Sequence, residues 1–361
     1  MSKKISHKIR TNKTGFETYS KIRNEFRPYV MSTNEDNFKS KIVNTDKFGF
    51  RKTYFQKKLI GLDEIKKSTS THNVIVGAST AFSMGSPSDK ETIHSYLSKK
   101  KLCISLGVRG ATGQQETVTY LQFKRFLGKV KNIIILSGLN DVILCSQKHS
   151  LFYPDFGGVM SENDRVSNSI MQYNFFHGIE KWKIGRNNIF ALMTLAANRS
   201  KIIRSIFSFF SNQFLHSSGK RKIKNLNRSF NEKISDIRKI ISNDLDTWSM
   251  IARKNKINII YILQPTLAWS NKRLTENEKK IYHYERNRMK KIFLVDIFNK
   301  TIYLKQKSFL KKMCKKNHIK FHDANEWTKK TSSNKNFFID LSHLTEYGNF
   351  FMSENINRLI N

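Results

Sequence analysis

The sequence predicts an α/β fold with an open, doubly wound sheet, because from Asn73 onward short apolar runs alternate with segments of helical periodicity. The apolar runs are nearly continuous and rich in β-branched residues, which is typical of parallel strands covered by helices on both faces. We therefore expect five strands, over residues 73–76, 102–106, 132–136, 257–263 and 318–321.

The intervals between these runs carry helical patterns. Ser88 and Glu91 form a capping-box signature, which predicts a helix that continues to about Lys99. Apolar residues recur at helical spacing from Phe230 to Trp248, directly before the fourth strand. Two helical segments follow, a long one over 276–316 with one candidate break and a final one over 345–359.

Two regions depart from the alternation. Residues 1–70 are polar and basic, which predicts an N-terminal extension lying on a main domain at 71–361. The pattern lapses again at about 145–228, which predicts a central helical insertion. Within it, residues 199–215 are amphipathic and Phe-rich, and a basic tract at 220–224 follows. Such a helix could lie on a membrane or a partner, but we favour a cap packed on its own domain.

The charge is strongly basic, with 65 Lys and Arg against 28 Asp and Glu and a formal net charge of +37. A field of this sign attracts polyanions and acidic membrane surfaces, so peripheral contact with such a surface stays open. Lys, Asn, Ile and Phe are all abundant, however, and a compositional bias explains the charge equally well. Nothing in the pattern indicates specific nucleic-acid recognition.

Cysteine usage and the N-terminus bear on the compartment. Cys103, Cys145 and Cys314 have no zinc spacing, and their odd number argues against a disulfide framework. We expect buried free thiols and a reducing environment. No apolar run follows the basic N-terminus, and no stretch reaches the roughly 18 apolar residues of a membrane span. A cytoplasmic protein is the expectation.

Three segments at predicted strand ends carry candidate chemistry. Ser79 follows the first strand in a Gly-Ala-Ser-Thr turn, where Gly77 permits a close backbone approach. Gly110 lies in a glycine-rich loop after the second strand, which could cradle phosphate or supply an oxyanion donor. Because the loop lacks the dinucleotide spacing and a Gly-Lys-Ser/Thr ending, we favour the donor. Asn140 follows the third strand and is either an uncharged donor or, with Asp141, a helix cap.

Asp340 and His343 form the fourth candidate, at the predicted start of the last helix. Three residues apart, the carboxylate can reach the imidazole Nδ1–H and leave Nε2 as a base. A metal site at His318, His322 and Asp323 is the alternative, but these residues lie along and beyond a strand. Since ligands bind at the carboxyl ends of the strands in open α/β sheets, we expect one site.

These segments resemble, in order, the four sequence blocks of the SGNH hydrolases, also called GDSL-type esterases. The blocks lie at residues 76–85, 106–112, 138–141 and 340–343. Residues 44–51, 263–266 and 274–275 resemble softer motifs of one branch, so that the resemblance covers about 44–359 without the central insertion. Two positions depart from the family pattern, Ala78 in place of an aspartate and Ser105 in place of an asparagine.

The resemblance implies a three-layer α/β/α sandwich around a mostly parallel five-stranded, flavodoxin-like sheet. It implies a serine esterase in which Ser79 is the nucleophile, His343 the base and Asp340 its orienting carboxylate. Ser79, Gly110 and Asn140 would form the oxyanion hole, and neither a cofactor nor a metal is required. The expected substrate is a small-molecule or glycan ester, with a carbohydrate O-acetyl ester favoured. The alternative is a non-catalytic or acyl-transferring SGNH-fold protein that binds an anionic glycan or a membrane surface.

Overall fold

A computed structural model describes residues 16–25, 27, 29–30, 32–65, 71–99, 101–148 and 228–360. Nearly all of the predicted central insertion, including the amphipathic stretch at 199–215, lies outside the described residues. The division into an extension, a main domain and an insertion therefore stays a prediction.

The described strands form one large sheet and two short hairpins. They are β1 (Asn24–Glu25), β2 (Thr33–Asn34), β3 (Thr53–Phe55), β4 (Lys58–Ile60), β5 (His72–Gly77), β6 (Cys103–Ser105), β7 (Val130–Ser137), β8 (Asn258–Leu263) and β9 (Lys320–Asp323). Strands β5 to β9 pair in the order β6-β5-β7-β8-β9, and every pairing is parallel. β1 pairs with β2 and β3 with β4, both antiparallel. The predicted parallel five-stranded sheet is confirmed.

Helices cover both faces of this sheet. Those described are α1 (Phe16–Lys21), α2 (Leu62–Ile65), α3 (Ile93–Leu97), α4 (Gly113–Phe123), α5 (Asn140–Ser146), α6 (Phe230–Asn255), α7 (Glu276–Ile292), α8 (Lys300–Lys316), α9 (Ala324–Trp327) and α10 (Glu346–Ile360). None of the described helices is both long and apolar enough to cross a bilayer.

Alternate residues of each central strand enter opposite cores. Val74 and Val76 of β5 pack in the cluster that contains residues of α4, α6 and α8, such as Leu245. Ile75 packs in the other cluster, with residues of α3, α7 and α10 such as Ile356. Because the side chains of a strand alternate between faces, a continuous apolar run is what two covered faces require. The three-layer α/β/α prediction is confirmed.

The prediction of one continuous helix from Ser88 to about Lys99 is wrong, because the structure has two separate elements there. Ser88 caps only a 3₁₀ turn over Asp89–Glu91, and α3 begins afresh after Thr92, whose side chain accepts from the Ser95 amide. The carboxylate of Asp89 instead binds Arg51 at 2.7 Å. The long helical stretch divides into α7 and α8, as its candidate break indicated.

A buried ion pair fixes the segment that leads into the last sequence block. Lys272 and Glu278 have no exposed side-chain surface, and Nζ lies 2.7 Å from Oε2. The other carboxylate oxygen of Glu278 accepts from the backbone amides of Phe337 and Phe338 at 2.7 and 3.1 Å. The ion pair therefore holds the chain two residues before Asp340.

We expect Glu278→Leu to lower the free energy of unfolding by about 3–5 kcal/mol, because it leaves the Lys272 ammonium buried and unpaired. The double variant Lys272→Met with Glu278→Leu should recover part of the loss. Glu276→Gln, in the same turn but 81% exposed, is the matched control. Urea unfolding measures all of these variants. An equal loss in the Glu276 and Glu278 variants would contradict the role of the pair.

Candidate active site

Ser79 lies in the turn that follows β5, where its side chain is half-buried. The turn is closed by hydrogen bonds from the Phe82 amide to the Ala78 carbonyl at 3.0 Å and from the Met84 amide to the Ser79 carbonyl at 2.9 Å. A Cβ at Gly77 would lie 2.3 Å from the Leu136 carbonyl oxygen of β7. Only glycine fits this contact, so Gly77 determines how closely the turn approaches the neighbouring strand.

The structure brings Ser79, His343 and Asp340 together in one hydrogen-bonded chain. His343 Nε2 lies 2.8 Å from Ser79 Oγ. His343 Nδ1 lies 2.7 Å from Asp340 Oδ2. Ser79 and His343 are 264 residues apart in sequence. With Nδ1–H donating to the carboxylate, Nε2 is left to accept the Ser79 hydroxyl proton.

Asp340 and His343 do not lie at the start of the last helix, as the sequence predicted. They lie in a loop that precedes α10, closed by a bridge between Phe338 and Leu344 and by a hydrogen bond from the Ile339 amide to the His343 carbonyl at 3.0 Å. The loop forms because Asp340 Oδ1 accepts from the amides of Ser342 and His343, both at 2.9 Å. One carboxylate thus shapes the loop and orients the imidazole.

The charge of Asp340 is stabilised although the residue is buried. Burial opposes ionisation, but the electrostatic interaction with His343, the hydrogen bond to its ring and the two loop amides together hold the pKa of Asp340 well below its ordinary value. The carboxylate is therefore ionised throughout the neutral range. A stable anion next to Nδ1 favours the tautomer that leaves Nε2 as the acceptor.

Gly110 and Asn140 follow β6 and β7, the two strands that flank β5 and the Ser79 turn. The Val108 amide donates to the Gly77 carbonyl at 3.1 Å, which draws the Gly110 loop beside the Ser79 turn. Gly110 has a φ of +78°, a left-handed conformation that favours glycine. One Asn140 side-chain N–H donates to the Ala111 carbonyl at 2.7 Å, and its second N–H is left for another acceptor.

The backbone amides proposed as oxyanion donors are not used for holding the fold. Within the described ranges, the amides of Ser79 and Gly110 donate to no backbone carbonyl. Together with the second N–H of Asn140, they are the donors that the sequence predicted. Their use as an oxyanion hole remains a prediction.

Two residues support the loops differently from the sequence interpretation. Ser105, which departs from the family pattern, accepts from the Gly107 amide at 3.1 Å and donates to the Ala81 carbonyl at 3.0 Å. It therefore joins the second block to the Ser79 turn. Asp141 was predicted to cap its own helix. Its Oδ1 accepts from the Gly113 amide at 3.2 Å, so it also holds the start of α4, which the sequence did not indicate.

Arg109 is the important residue that the sequence reasoning missed. It is 9% exposed and adjacent to Gly110. Its guanidinium donates to the carbonyls of Tyr19 at 3.0 Å, Ile22 at 2.9 Å and Arg23 at 3.1 Å. The donor groups of Arg109 thus bind the end of α1 to the Gly110 loop. The sequence did carry a signal for this role, because Arg109 lies between a strand and Gly110 in a segment already predicted to belong to the site.

Two buried acids, Glu116 and Asp141, and the half-buried Asp244 lie behind the Gly110 and Asn140 loops. Burial raises the pKa of Glu116 well above its ordinary value, raises the pKa of Asp141 to about 6, and raises the pKa of Asp244 to about 7 with a further contribution from the Asp141 charge. The neighbouring like charges further disfavour ionisation of Glu116 and Asp244. Near neutral pH the group therefore holds protons that an unfolded chain would release.

The predicted alternative, a metal at His318, His322 and Asp323, has no geometric support. Asp323 Oδ2 accepts from Tyr303 Oη at 2.5 Å and lies 3.1 Å from Lys307 Nζ. In the part of the chain that the structure describes, no group of three or more His, Cys, Asp or Glu could hold a metal ion. Cys103, Cys145 and Cys314 are buried free thiols, as expected.

The comparisons with known proteins are distant. No protein-family model matches the chain, and no curated protein matches it. Among solved structures, an acetyl xylan esterase, AlAXEase, aligns at 9% identity with a TM-score of 0.37, over 81% of this chain and 100% of the other. A protein proposed to be an acylhydrolase, from Bacteroides fragilis, aligns at 13% identity with a TM-score of 0.38, over 82% and 88%. Likeness this remote does not transfer an activity.

The strand order and the geometry of the site are stronger evidence for the fold than these comparisons. The four blocks that resemble those of the SGNH hydrolases lie far apart in sequence but meet at one edge of a parallel sheet. The arrangement agrees with what the resemblance implies for the fold.

We expect Arg109→Met to release the segment around α1, because a methionine cannot donate to the three carbonyls that Arg109 binds. Limited proteolysis should cut between residues 16 and 30 faster in this variant than in the wild type. Arg125→Met, at an exposed arginine that lies over the Phe126 ring, is the matched control. Equal cleavage rates in the two variants would refute the anchoring role.

We expect Asp244→Asn to become more stabilising as the pH rises. The pKa of Asp244 is about 7 in the folded protein and about 4 in the unfolded chain, so between these values the folded state binds more protons and wild-type stability falls with rising pH. The gain in the free energy of unfolding should be roughly 1–3 kcal/mol larger at pH 8 than at pH 5. Asp246→Asn, two residues along α6, is the control in urea unfolding. A pH-independent difference would contradict the raised pKa.

Proposed function

We propose that this protein is a serine esterase of the SGNH type, with Ser79 as nucleophile, His343 as general base and Asp340 as the carboxylate that orients it. The observation that carries the proposal is the chain of two hydrogen bonds, 2.8 and 2.7 Å long, from Ser79 through His343 to Asp340. Such a chain activates a hydroxyl that is otherwise a weak nucleophile at neutral pH.

In the acylation step, Ser79 Oγ attacks the ester carbonyl carbon while His343 Nε2 takes the hydroxyl proton. A tetrahedral intermediate forms, and its negative oxygen accepts hydrogen bonds from the Ser79 and Gly110 amides and from the Asn140 side chain. The bond to the alcohol oxygen then breaks, and His343 gives its proton to the departing alcohol. The charge of Asp340 stabilises the imidazolium throughout, without itself taking the proton.

In the deacylation step, the same groups act on water. His343 removes a proton from a water molecule, which attacks the acyl-enzyme carbonyl and passes through a second tetrahedral intermediate. Collapse of that intermediate returns the proton to Ser79 Oγ and releases the acid. An alcohol acceptor in place of water would give acyl transfer with the same residues.

The substrate class proposed is a carbohydrate O-acetyl ester, which rests on the family resemblance of the sequence. The net charge of +37 favours an acidic glycan over a neutral one, because a cationic surface concentrates anionic substrates. Arg109 holds the end of α1 beside the Gly110 loop, which supports a role for this segment in shaping the entrance to the site.

We expect Ser79→Ala to lower kcat/KM for p-nitrophenyl acetate by a factor of about 10³ or more, since it removes the nucleophile. Asp340→Asn should lower kcat by about 10³- to 10⁴-fold with a smaller effect on KM, because the amide no longer favours the active tautomer. The assay then extends to longer acyl esters and to O-acetylated acidic and neutral glycans.

Ser270→Ala is the matched control, because the Ser270 hydroxyl is buried without a hydrogen-bond partner among the described residues. It should retain wild-type rates, and urea unfolding checks that each variant is folded. If wild type and Ser79→Ala hydrolyse every ester at the same rate, the esterase proposal fails. The non-catalytic binding alternative then stands.

A further inference from the structure

A second pocket, of about 400 Å³, lies between α6, α8 and the segment that connects α7 to α8. Neither Ser79, Asp340 nor His343 lines it. Its volume is within the range of pockets that hold small organic molecules. It is separate from the machinery assigned to ester hydrolysis.

One part of the pocket wall is apolar. Phe230 and Ile234 come from the first turns of α6, and Ile302 comes from the first turn of α8. Side chains of this kind contact the carbon skeleton of a ligand and exclude water from it. An inorganic anion, which keeps a full hydration shell, would gain little from such a wall.

Gln306 gives the pocket an unsatisfied hydrogen-bonding group. It lines the pocket and is only 1% exposed. Neither its Oε1 nor its Nε2 has a hydrogen-bond partner among the described residues. Because burying an amide without partners is unfavourable, both atoms of Gln306 are suited to bind something that enters the pocket.

The charge of the pocket is positive. Arg238 lines it with a buried Nε that has no hydrogen-bond partner among the described residues, and its guanidinium lies 5.1 Å from the Phe309 ring centre. Lys305 adds a second positive charge at the exposed rim. Asp296 also lines the pocket, but its carboxylate is paired with Arg286 at 2.9 Å. The two cations therefore outweigh it.

We propose that this pocket binds a small organic carboxylate. The ligand carboxylate pairs with the Arg238 guanidinium, whose planar donors match its two oxygens, and Lys305 contributes at longer range. The Gln306 amide hydrogen-bonds the same group or a neighbouring polar atom. The carbon skeleton lies against Phe230, Ile234 and Ile302.

Two sources of such a carboxylate differ in their chemistry. A short alkanoate would use the apolar wall fully, whereas a uronic acid would use hydroxyl contacts as well. Hexanoate and glucuronate represent the two sources. Hexanamide and glucose are their uncharged counterparts, and inorganic phosphate tests for a site that takes any anion.

The experiment is calorimetric titration of each probe into the Ser79→Ala protein, so that binding is measured without any hydrolysis. We expect saturable binding of one or both carboxylates, at least about tenfold tighter than of the uncharged counterpart. The tighter of the two identifies the source. Failure of the esterase proposal would leave this measurement unaffected.

Two variants locate the site. Arg238→Met should weaken carboxylate binding by about 10- to 100-fold, while Arg253→Met, at an exposed position of the same helix, should not change it. Gln306→Leu should weaken binding and yet unfold at an equal or higher urea concentration without ligand, since it removes unpaired polar atoms. If the Arg238→Met variant does not fold, the loss of carboxylate binding in Gln306→Leu still tests whether the ligand occupies this pocket.

Three results would overturn the proposal. One is no saturable binding of either carboxylate up to about 10 mM, which is weaker than a specific small-molecule site requires. Another is equal affinity in the Arg238 and Arg253 variants, which would mean attraction by overall charge alone. The third is binding of phosphate with an affinity equal to that of the carboxylates.

Discussion

The parallel direction of the five strands is the constraint on which the site depends. All carboxyl ends of a parallel sheet lie at one edge, so the turns after β5, β6 and β7 must meet there. These turns carry Ser79, Gly110 and Asn140, respectively. Gly77 allows the end of β5 to lie close to β7, because any side chain at that position would collide with the Leu136 carbonyl. His343 is added to the same edge by a loop whose shape depends on Asp340.

The N-terminal residues support this edge through two buried arginines. Arg51 has a fully buried side chain that pairs with Asp89 and donates to the Ser83 carbonyl, both within the region that follows Ser79. Arg109 joins the Gly110 loop to the end of α1. A buried guanidinium is costly unless its donors are satisfied, so each arginine holds its neighbours to one arrangement. The segment from 16 to 65 is therefore part of the support of the site.

Several of the acidic residues of this basic chain lie in its interior. Asp89 and Glu278 are buried and paired with Arg51 and Lys272, Asp340 is buried against His343, and Glu116 and Asp141 are buried behind the site loops. Because Asp89 and Glu278 lie in the interior, their charges are neutralised by their partners and do not offset the lysines and arginines of the surface.

The sequence by itself determined the fold class, because apolar runs of β-branched residues specify covered parallel strands wherever they lie in the chain. It also predicted Ser79, Gly110, Asn140, Asp340 and His343 as one set, since the four blocks have local signatures. It could not assign the partners of Arg51, Arg109 or Asp141, nor the loop around His343. Those contacts join residues that are distant in sequence, so they form only when the helices and the sheet pack together and bury these side chains. Tertiary structure decided them, because a buried charge accepts whichever partner the folded chain brings within reach.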